Sequence, residues 1–290
     1  MIKKDLKKFY KIKESKTILI VGGSGFIGRH LTKACLNKKL KVFVLSLNSV
    51  KKSHRSKKVN YLVCDITVKK KLYKILNKYS FDFVINLGGH VNHSEKTRTY
   101  KSHYLGCKNL ANYFLKKKIS KFIQLSSSLE YGNKKSPHNE KMKIDLRGLK
   151  SSYSLGKAKA SMYLLKLSEK YKFPVIIFRL YLAYGPDQDF NRIIPITIKK
   201  FLNNQTFKLT HCNQVRDFIF IKDLINLLMK AIYAKKNKNI VYNVGSGRPV
   251  KLRKIIEFIH KKIKKGKPLF GQIPLRKDES YKIYPNISSS

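Results

Sequence analysis

The sequence predicts an α/β protein, a doubly wound parallel sheet with a smaller, mixed C-terminal lobe. Two observations predict this and a third bounds it. A short β-branched run, Thr17 to Val21, stops at Gly22-Gly23 and gives way to an amphipathic helix near Phe26. Strand and helix patterns then alternate as far as Leu180, which places helices on both faces of a parallel sheet. The length, 290 residues with 42% hydrophobic side chains, suits one large domain or a domain with a second lobe.

Each element follows from its own pattern. In the first turn Gly22, Gly25 and Gly28 have G-x-x-G-x-x-G spacing. The first glycine permits a tight turn, the second lets a pyrophosphate approach the backbone, and the third lets the helix pack close to the strand. The helix start at Phe26 and Ile27 offers free N–H donors to a phosphate. Lys41 to Leu45 and Val59 to Val63 read as strands two and three. Val68 to Tyr79 reads as a helix with Leu72, Ile75, Leu76 and Tyr79 on one face. Phe81 to Leu87 is a fourth strand ending in Gly88-Gly89. A helix over Thr97 to Lys117, a fifth strand over Lys121 to Leu125, a helix over Tyr153 to Tyr171 and a sixth strand over Pro174 to Leu180 follow. Ser128 to Ser152, charged and broken by Pro and Gly, reads as a loop over the site. Beyond Pro186 the rhythm loosens. Helices are expected over Ile193 to Leu202, Lys222 to Ala234 and Leu252 to Lys264, with strands over Phe218 to Phe220 and Ile240 to Val244. The expected division is a basic tail over 1–16, a dinucleotide-binding domain over 17–186 and a C-terminal lobe over 187–290.

The formal net charge is +48, from 64 Lys and Arg against 16 Asp and Glu. Only ten of the 64 are Arg, and the lysines run the whole length beside abundant Ile, Asn and Tyr. That reads as an A+T-rich coding bias. A nucleic-acid surface favours Arg, clustering and interleaved aromatics, so nucleic acid is not an expected partner. The densest cluster, Lys51 to Lys58, falls in an expected loop. Cys35, Cys64, Cys107 and Cys212 are too scattered for a disulfide framework or a zinc site, which points to a reducing, cytoplasmic compartment and no metal. No run of about 18 apolar residues exists, and the Lys-rich start lacks the apolar centre of a secretory signal, so no membrane association is expected.

The chemistry lies further on. Tyr153 and Lys157, at i and i+4, share one face of their expected helix. Strand five ends in Ser126-Ser127-Ser128, at the carboxyl edge where open α/β sheets bind ligands. A phenolate is favoured beside an ammonium, and a serine hydroxyl can hold a substrate oxygen within reach of the tyrosine. A lone Tyr/Lys pair on a helix is ordinarily surface and core. Here the glycine turn, serine cluster and Tyr-x-x-x-Lys occur together, in that order.

With these segments the chain resembles the extended short-chain dehydrogenase/reductases, the NAD(P)-dependent nucleotide-sugar epimerase/dehydratase group, whose sheet is Rossmann-like. The matching segments are GGSGFIG (22–28), CDI (64–66), NLGG (86–89), SSSLEYG (126–132), YSLGK (153–157), FRLYLAYGP (178–186), VRDFIFIKDL (215–224) and YNVGSG (242–247). The resemblance implies that Ser127, four residues before Tyr131, forms a catalytic triad with Tyr153 and Lys157. It implies that Asp65 and Ile66 flank an adenine, and that Ser46, Leu87, Gly88, Gly89 and Tyr181 join the glycine turn around the cofactor. It further implies that Ser128, Asn191 and Arg192 meet the sugar, that Arg216 and Arg276 hold the diphosphate, and that the protein is a homodimer. Without the resemblance, Asp65 reads as a strand-end turn aspartate and Arg216 as a structural partner of Asp217.

Four departures qualify the resemblance. A dehydratase of the group places Asp-Glu after the triad hydroxyl; Ser128-Leu129 stands there, which argues against water elimination. His103 and Leu182 stand where the group commonly has Asn. At the end of strand two, about 20 residues after the glycines, an NAD enzyme usually presents an acid to the ribose. Ser46 stands there instead, with Lys51, Lys52 and Arg55 nearby, so the cofactor is NAD or NADP with a lean to NADP. The group also continues for a short helical segment past the position of Ser290, so a shortened copy is expected. The function read from this is a nucleotide-sugar 4-epimerase working through a 4-keto intermediate. A 4-keto-sugar reductase is the alternative. The rival from another class is a non-catalytic dinucleotide- or RNA-binding protein on the same fold, and the intact triad speaks against it.

Overall fold

The computed structural model describes residues 15–92, 94–235, 240–276 and 279–288. All but the last two residues of the basic tail expected over 1–16 lie outside them. The chain builds β1 (Thr17–Val21), α1 (Phe26–Asn37), β2 (Lys41–Ser46), β3 (Val59–Val63), α2 (Lys69–Leu76), β4 (Phe83–Asn86), α3 (Lys96–Leu115), β5 (Lys121–Ser127), α4 (Ser152–Tyr171) and β6 (Val175–Leu180). Then come β7 (Leu182–Tyr184), α5 (Ile193–Leu202), β8 (Thr206–Lys208), β9 (Val215–Arg216), β10 (Phe218–Phe220), α6 (Ile221–Tyr233), β11 (Val241–Val244), β12 (Val250–Lys251), α7 (Leu252–Ile263), β13 (Lys267–Leu269) and β14 (Lys282–Ile283).

Seven parallel strands form the main sheet in the order β11-β6-β5-β4-β1-β2-β3. Their apolar runs are near-continuous because both faces are covered. In β1, Ile18 and Ile20 pack into one layer with Leu31 of α1 and Leu224 and Leu228 of α6. Leu19 and Val21 enter the opposite layer with Leu72 of α2, Leu110 and Phe114 of α3 and Leu164 of α4. Strand β1 lies between β2 and β4, pairing Val21 with Leu45 on one side and Asn86 on the other. The direction of strand succession reverses there, which opens a crevice at the carboxyl ends. No helix among the described residues is long and apolar enough to cross a membrane.

The division expected at Pro186 does not match the layers. Helix α6 and strand β11, both inside 187–290, belong to the sheet, with Val241 paired to Ile177. The reason is the apolar face Ile221, Leu224, Ile225 and Leu228, which is buried in the same layer as α1. The smaller lobe is what remains: α5 and α7 around Phe201, Leu209, Cys212 and Ile256, with the small sheets β12-β9-β14 and β13-β8, while the β10-β7 pair packs on the α6 side of the main sheet.

The stretch from Ser128 to Ser152 is a loop, as expected, built of short turns up to the start of α4. It starts with a 3₁₀ turn over Ser128–Tyr131, and His138 is buried within it. The His138 N–H donates to the Tyr284 carbonyl at 2.9 Å, and the His138 carbonyl accepts from Asn286 N–H at 2.8 Å. The segment is therefore stitched to the end of the chain.

A buried ion pair anchors this stitching. Arg179 of β6 donates through Nε to Glu130 Oε2 at 2.8 Å, and both side chains are out of water. Glu130 also accepts from the Ser126 hydroxyl and, at 2.5 Å, from the Ser161 hydroxyl of α4. Arg179 Nη1 donates to the Tyr131 hydroxyl at 3.0 Å, and that hydroxyl donates to Asn243 of β11 at 2.7 Å. Removing one member of such a pair leaves an uncompensated buried charge, which costs about 3–5 kcal/mol. Arg179→Leu is therefore expected to lower urea stability by about that amount, and Glu130→Val/Arg179→Leu to recover a large part of it. A single Arg179→Leu variant as stable as the parent would show that the carboxylate does not need its partner.

Candidate functional site

The glycine turn shows why these residues stand here. Gly22 has φ 75°, and a Cβ on it would lie 2.9 Å from the Gly88 nitrogen, so the turns after β1 and β4 touch. A Cβ on Gly28 would lie 2.5 Å from the Gly22 carbonyl oxygen, so α1 can approach only with glycine there. Gly25, the N-cap of α1, supplies no side-chain cap, and the first turn holds no acid. The N–H groups at Phe26 and Ile27 are left to an outside anion. Among the described residues, a Cβ on Gly25 would meet only the Gly22 oxygen, at 3.4 Å. These features fit a dinucleotide pyrophosphate.

Around the same edge, Ser46 ends β2, buried, and its hydroxyl donates to Ser24 of the glycine turn at 2.9 Å. Ser24 was not among the expected site residues; its place inside the glycine triplet is the signal. Asp65 is exposed after β3, and its Oδ1 accepts from the N–H and hydroxyl of Thr67 at 2.8 and 2.7 Å, a strand-end turn. Ile66 beside it is buried. Leu87 packs against the core layer of α1, and Gly89 lies against the His103 ring.

The hydroxyl chemistry is gathered at the end of β5. Ser127 accepts from the Leu129 N–H at 3.2 Å, and its hydroxyl is close enough to Tyr153 to favour the phenolate. Helix α4 begins with a capping box between Ser151 and Ser154, which sets the first turn that carries Tyr153. One turn on, Lys157 is buried and donates to the Leu125 carbonyl at 2.7 Å, 5.8 Å from the centre of the Tyr153 ring. Burial raises the Tyr153 phenol above its ordinary range; the Ser127 hydroxyl and the Arg192 guanidinium pull it back, and the Glu130 carboxylate pushes it up. Burial pulls the Lys157 ammonium down to about 8, against the influence of Cys107 and Glu130. His103 packs edge-on against Tyr153, ring centres 4.8 Å apart, with Nε2 3.0 Å from the His90 carbonyl.

The remaining expected residues are spread more widely, and of these Arg192 comes near enough to act on Tyr153. Ser128 is buried in the turn after Ser127, while Asn191 and Arg192 are exposed before α5. Tyr181 is buried with its hydroxyl 2.9 Å from His138 Nδ1. Arg216 is buried and pairs with Glu279, not with Asp217, whose Oδ1 accepts from the Ser246 N–H at 2.6 Å. Arg276 is exposed, 3.8 Å from Glu279. Sequence reasoning passed over Glu130. Its signal was Arg179, a guanidinium inside the apolar run VIIFRL, because a charge buried in a sheet requires a partner.

Comparison with known proteins places the fold and the family. The dTDP-D-glucose 4,6-dehydratase of Dictyostelium discoideum is 29% identical over 252 residues, spanning 79% of this chain and 58% of that protein. The dTDP-4-dehydro-6-deoxyglucose reductase of Escherichia coli is 26% identical over 276 residues, 89% of this chain and 85% of that one. The crystal structure of Thermotoga maritima UDP-glucose 4-epimerase with UDP-glucose superimposes with a TM-score of 0.86 at 22% identity, covering 94% of this chain and 90% of that chain, a likeness of fold. The model of the NAD dependent epimerase/dehydratase family matches residues 18–245, from the first strand of the sheet to the last. With the glycine crevice and the sheet order already in place, that match shows that the chain belongs to this family of enzymes.

Proposed function

We propose that the protein is a nucleotide-sugar 4-epimerase that works through a 4-keto intermediate. The observation that carries this reading is the gathering of Ser127, at the end of β5, with Tyr153 and, one helical turn on, a buried Lys157 held by the Leu125 carbonyl of the same strand. The crevice residues Gly22, Gly25, Phe26 and Gly28 would hold the pyrophosphate of a nicotinamide dinucleotide. When bound, that group supplies the acceptor and donor of hydride.

In this reading Tyr153, as phenolate, takes the proton of the sugar 4-hydroxyl. The Ser127 hydroxyl hydrogen-bonds the same oxygen and keeps it within reach. Lys157 places a positive charge beneath the ring, and Arg192 adds a second one that favours the phenolate. His103 holds the ring from its flank. Arg216 and Arg276 would meet the diphosphate, a task suited to guanidinium forks. The match to the E. coli reductase over 89% of the chain favours a second reading, a 4-keto-sugar reductase. A panel of UDP- and dTDP-sugars separates the two. Interconversion of 4-epimers without net cofactor consumption marks an epimerase. Stoichiometric consumption of reduced cofactor with a 4-keto sugar marks a reductase, and inertness toward the whole panel would sink both.

Three outcomes are expected from this site. Tyr153→Phe removes the oxygen that moves the proton, so turnover is expected to fall on the order of 10²–10⁴-fold while dinucleotide binding persists. Parent-like turnover by that variant would remove Tyr153 from the mechanism.

Cofactor choice rests on Ser46. Its hydroxyl neither repels a 2′-phosphate nor accepts two ribose hydrogen bonds with charge assistance. NADP is expected to bind at least as tightly as NAD, and Ser46→Asp to shift the ratio toward NAD. Titration of both dinucleotides into both proteins checks this, and a parent that strongly prefers NAD contradicts it.

The third outcome concerns pH. Lys157 titrates near 8 in the fold and near 10.5 when unfolded. Between those values the unfolded chain binds more protons at this position, so the Lys157 contribution to stability rises with pH across that window. Subtracting the Lys157→Met stability curve from that of the parent isolates the rise. A flat difference curve from pH 8 to pH 10.5 contradicts a depressed ammonium.

A further inference from the structure

Behind Lys157 lies a line of buried polar side chains that the chemistry above does not use. Gln124 of β5 stands between Ile123 and Leu125 and is 1% exposed. Asn86, its neighbour across the parallel ladder in β4, is buried to the same degree. Amides are kept out of water only where their hydrogen bonds are met. These bonds run in one direction, and they start at the turn that touches Gly22. The Gly88 N–H can only donate, so Asn86 Oδ1 accepts from it, at 3.1 Å. Asn86 Nδ2 then donates to Gln124 Oε1 at 2.8 Å, and the Cys107 thiol of α3 donates to the same oxygen at 3.2 Å. That orientation turns Gln124 Nε2 to the Leu125 carbonyl, to which it donates at 3.1 Å. The same carbonyl accepts from the Lys157 ammonium at 2.7 Å. One oxygen therefore carries two donors, an amide fixed from behind and the ammonium beside Tyr153.

We propose that Gln124 is a positioning residue for Lys157, acting through the Leu125 carbonyl that both groups share. The inference rests on the reading of Lys157 given above. The amide takes one lone pair of the oxygen and leaves the ammonium the other, which fixes the side from which Lys157 approaches. It also weakens the hold. An oxygen that already accepts one hydrogen bond is a poorer acceptor for a second, and the positive end of the amide dipole is turned toward a cation. Lys157 thus rests at a partner it can leave when a bound ligand or the Tyr153 phenolate offers more. The other titratable groups that face Lys157 are Cys107 of α3, Glu130 of the turn after β5 and Tyr153 of its own helix. Burial pushes the Cys107 thiol up to about 12, so it stays neutral while Lys157 titrates.

The test reads the ammonium itself and uses no ligand. Stability is measured across the window from pH 8 to 10.5 for the parent and for Gln124→Met, each with and without Lys157→Met. The difference curve isolates Lys157 in each background. In the parent its contribution rises with pH from about 8, where the folded group titrates. Gln124→Met keeps the length of the side chain and removes its donor. The Leu125 oxygen is then left to the ammonium, which holds its proton more tightly, so the rise is expected to begin about half a pH unit to one unit higher. If Gln124→Met does not fold, Gln124→Leu takes its place with the same expectation. An onset that does not move overturns the proposal and makes the Asn86–Gln124 pair a brace between two strands. A downward move overturns it too, because the amide then supported the ammonium instead of competing with it. On a substrate that the parent turns over, the Gln124 variant is expected to lose about 3–10-fold in kcat at unchanged KM, and an unchanged kcat contradicts a part in the reaction. Turnover by Lys157→Met reads the site separately. A parent-like rate from that variant overturns the role of Lys157, and the service of Gln124 to it, whatever the melts show.

Discussion

A guanidinium and a carboxylate, both out of water, hold the region of the candidate site in one arrangement. Arg179 comes from β6 and Glu130 from the turn after β5, and the carboxylate reaches on to Ser161 of α4. Two of those attachments lie beside the proposed chemistry. Ser126, which donates to Glu130, precedes Ser127, and Ser161 is one turn beyond Lys157 on α4. The position of the strand end relative to the helix that carries Tyr153 is therefore tied to a pair that cannot relax cheaply. A buried charge must keep its partner, and in a low-dielectric interior the penalty for losing it exceeds that of most single contacts.

The same carboxylate acts on the site electrostatically. It opposes ionisation of Tyr153 and helps to keep Lys157 charged, while Arg192 works in the other direction on Tyr153. In the protein without ligands the phenol is raised and the ammonium is lowered, each mainly by burial. Lys157 stays in place through the Leu125 carbonyl, a partner supplied by the strand itself.

Around the crevice, the constraint is close approach of backbone. The turns after β1 and β4 come together at Gly22 and Gly88, and α1 meets the first turn at Gly28, so no side chain separates these elements. What remains exposed at that edge is N–H, the group an anion needs. The smaller lobe contributes differently. It is built from short strands and two amphipathic helices around Phe201 and Ile256, and its cations are held by individual contacts, as with Arg216 and Glu279.

The sequence by itself determined the sheet, the turn and the Tyr153/Lys157 face, because each depends on local pattern. Strand runs such as Lys41–Ser46 are legible from continuous burial, Gly22 to Gly28 from the demands of one turn, and the i, i+4 pair from helical pitch. Of the strands of two or three residues, β7 to β9 and β12 to β14 are too short to show a period of two and were not visible before the fold, and only the apolar run of β10 was. Tertiary structure alone decided which charges meet. The Arg179 partner is 49 positions away and the Arg216 partner 63, and Asp217, adjacent to Arg216, turned instead to the Ser246 backbone. It also decided that α6 and β11 return to the sheet and that the stretch after Ser127 is tied to the chain end. Secondary structure is set by neighbours along the chain, which a sequence displays. The pairing of buried charges is set by whichever groups the packed sheet brings together, and that distance in space is written in no local pattern.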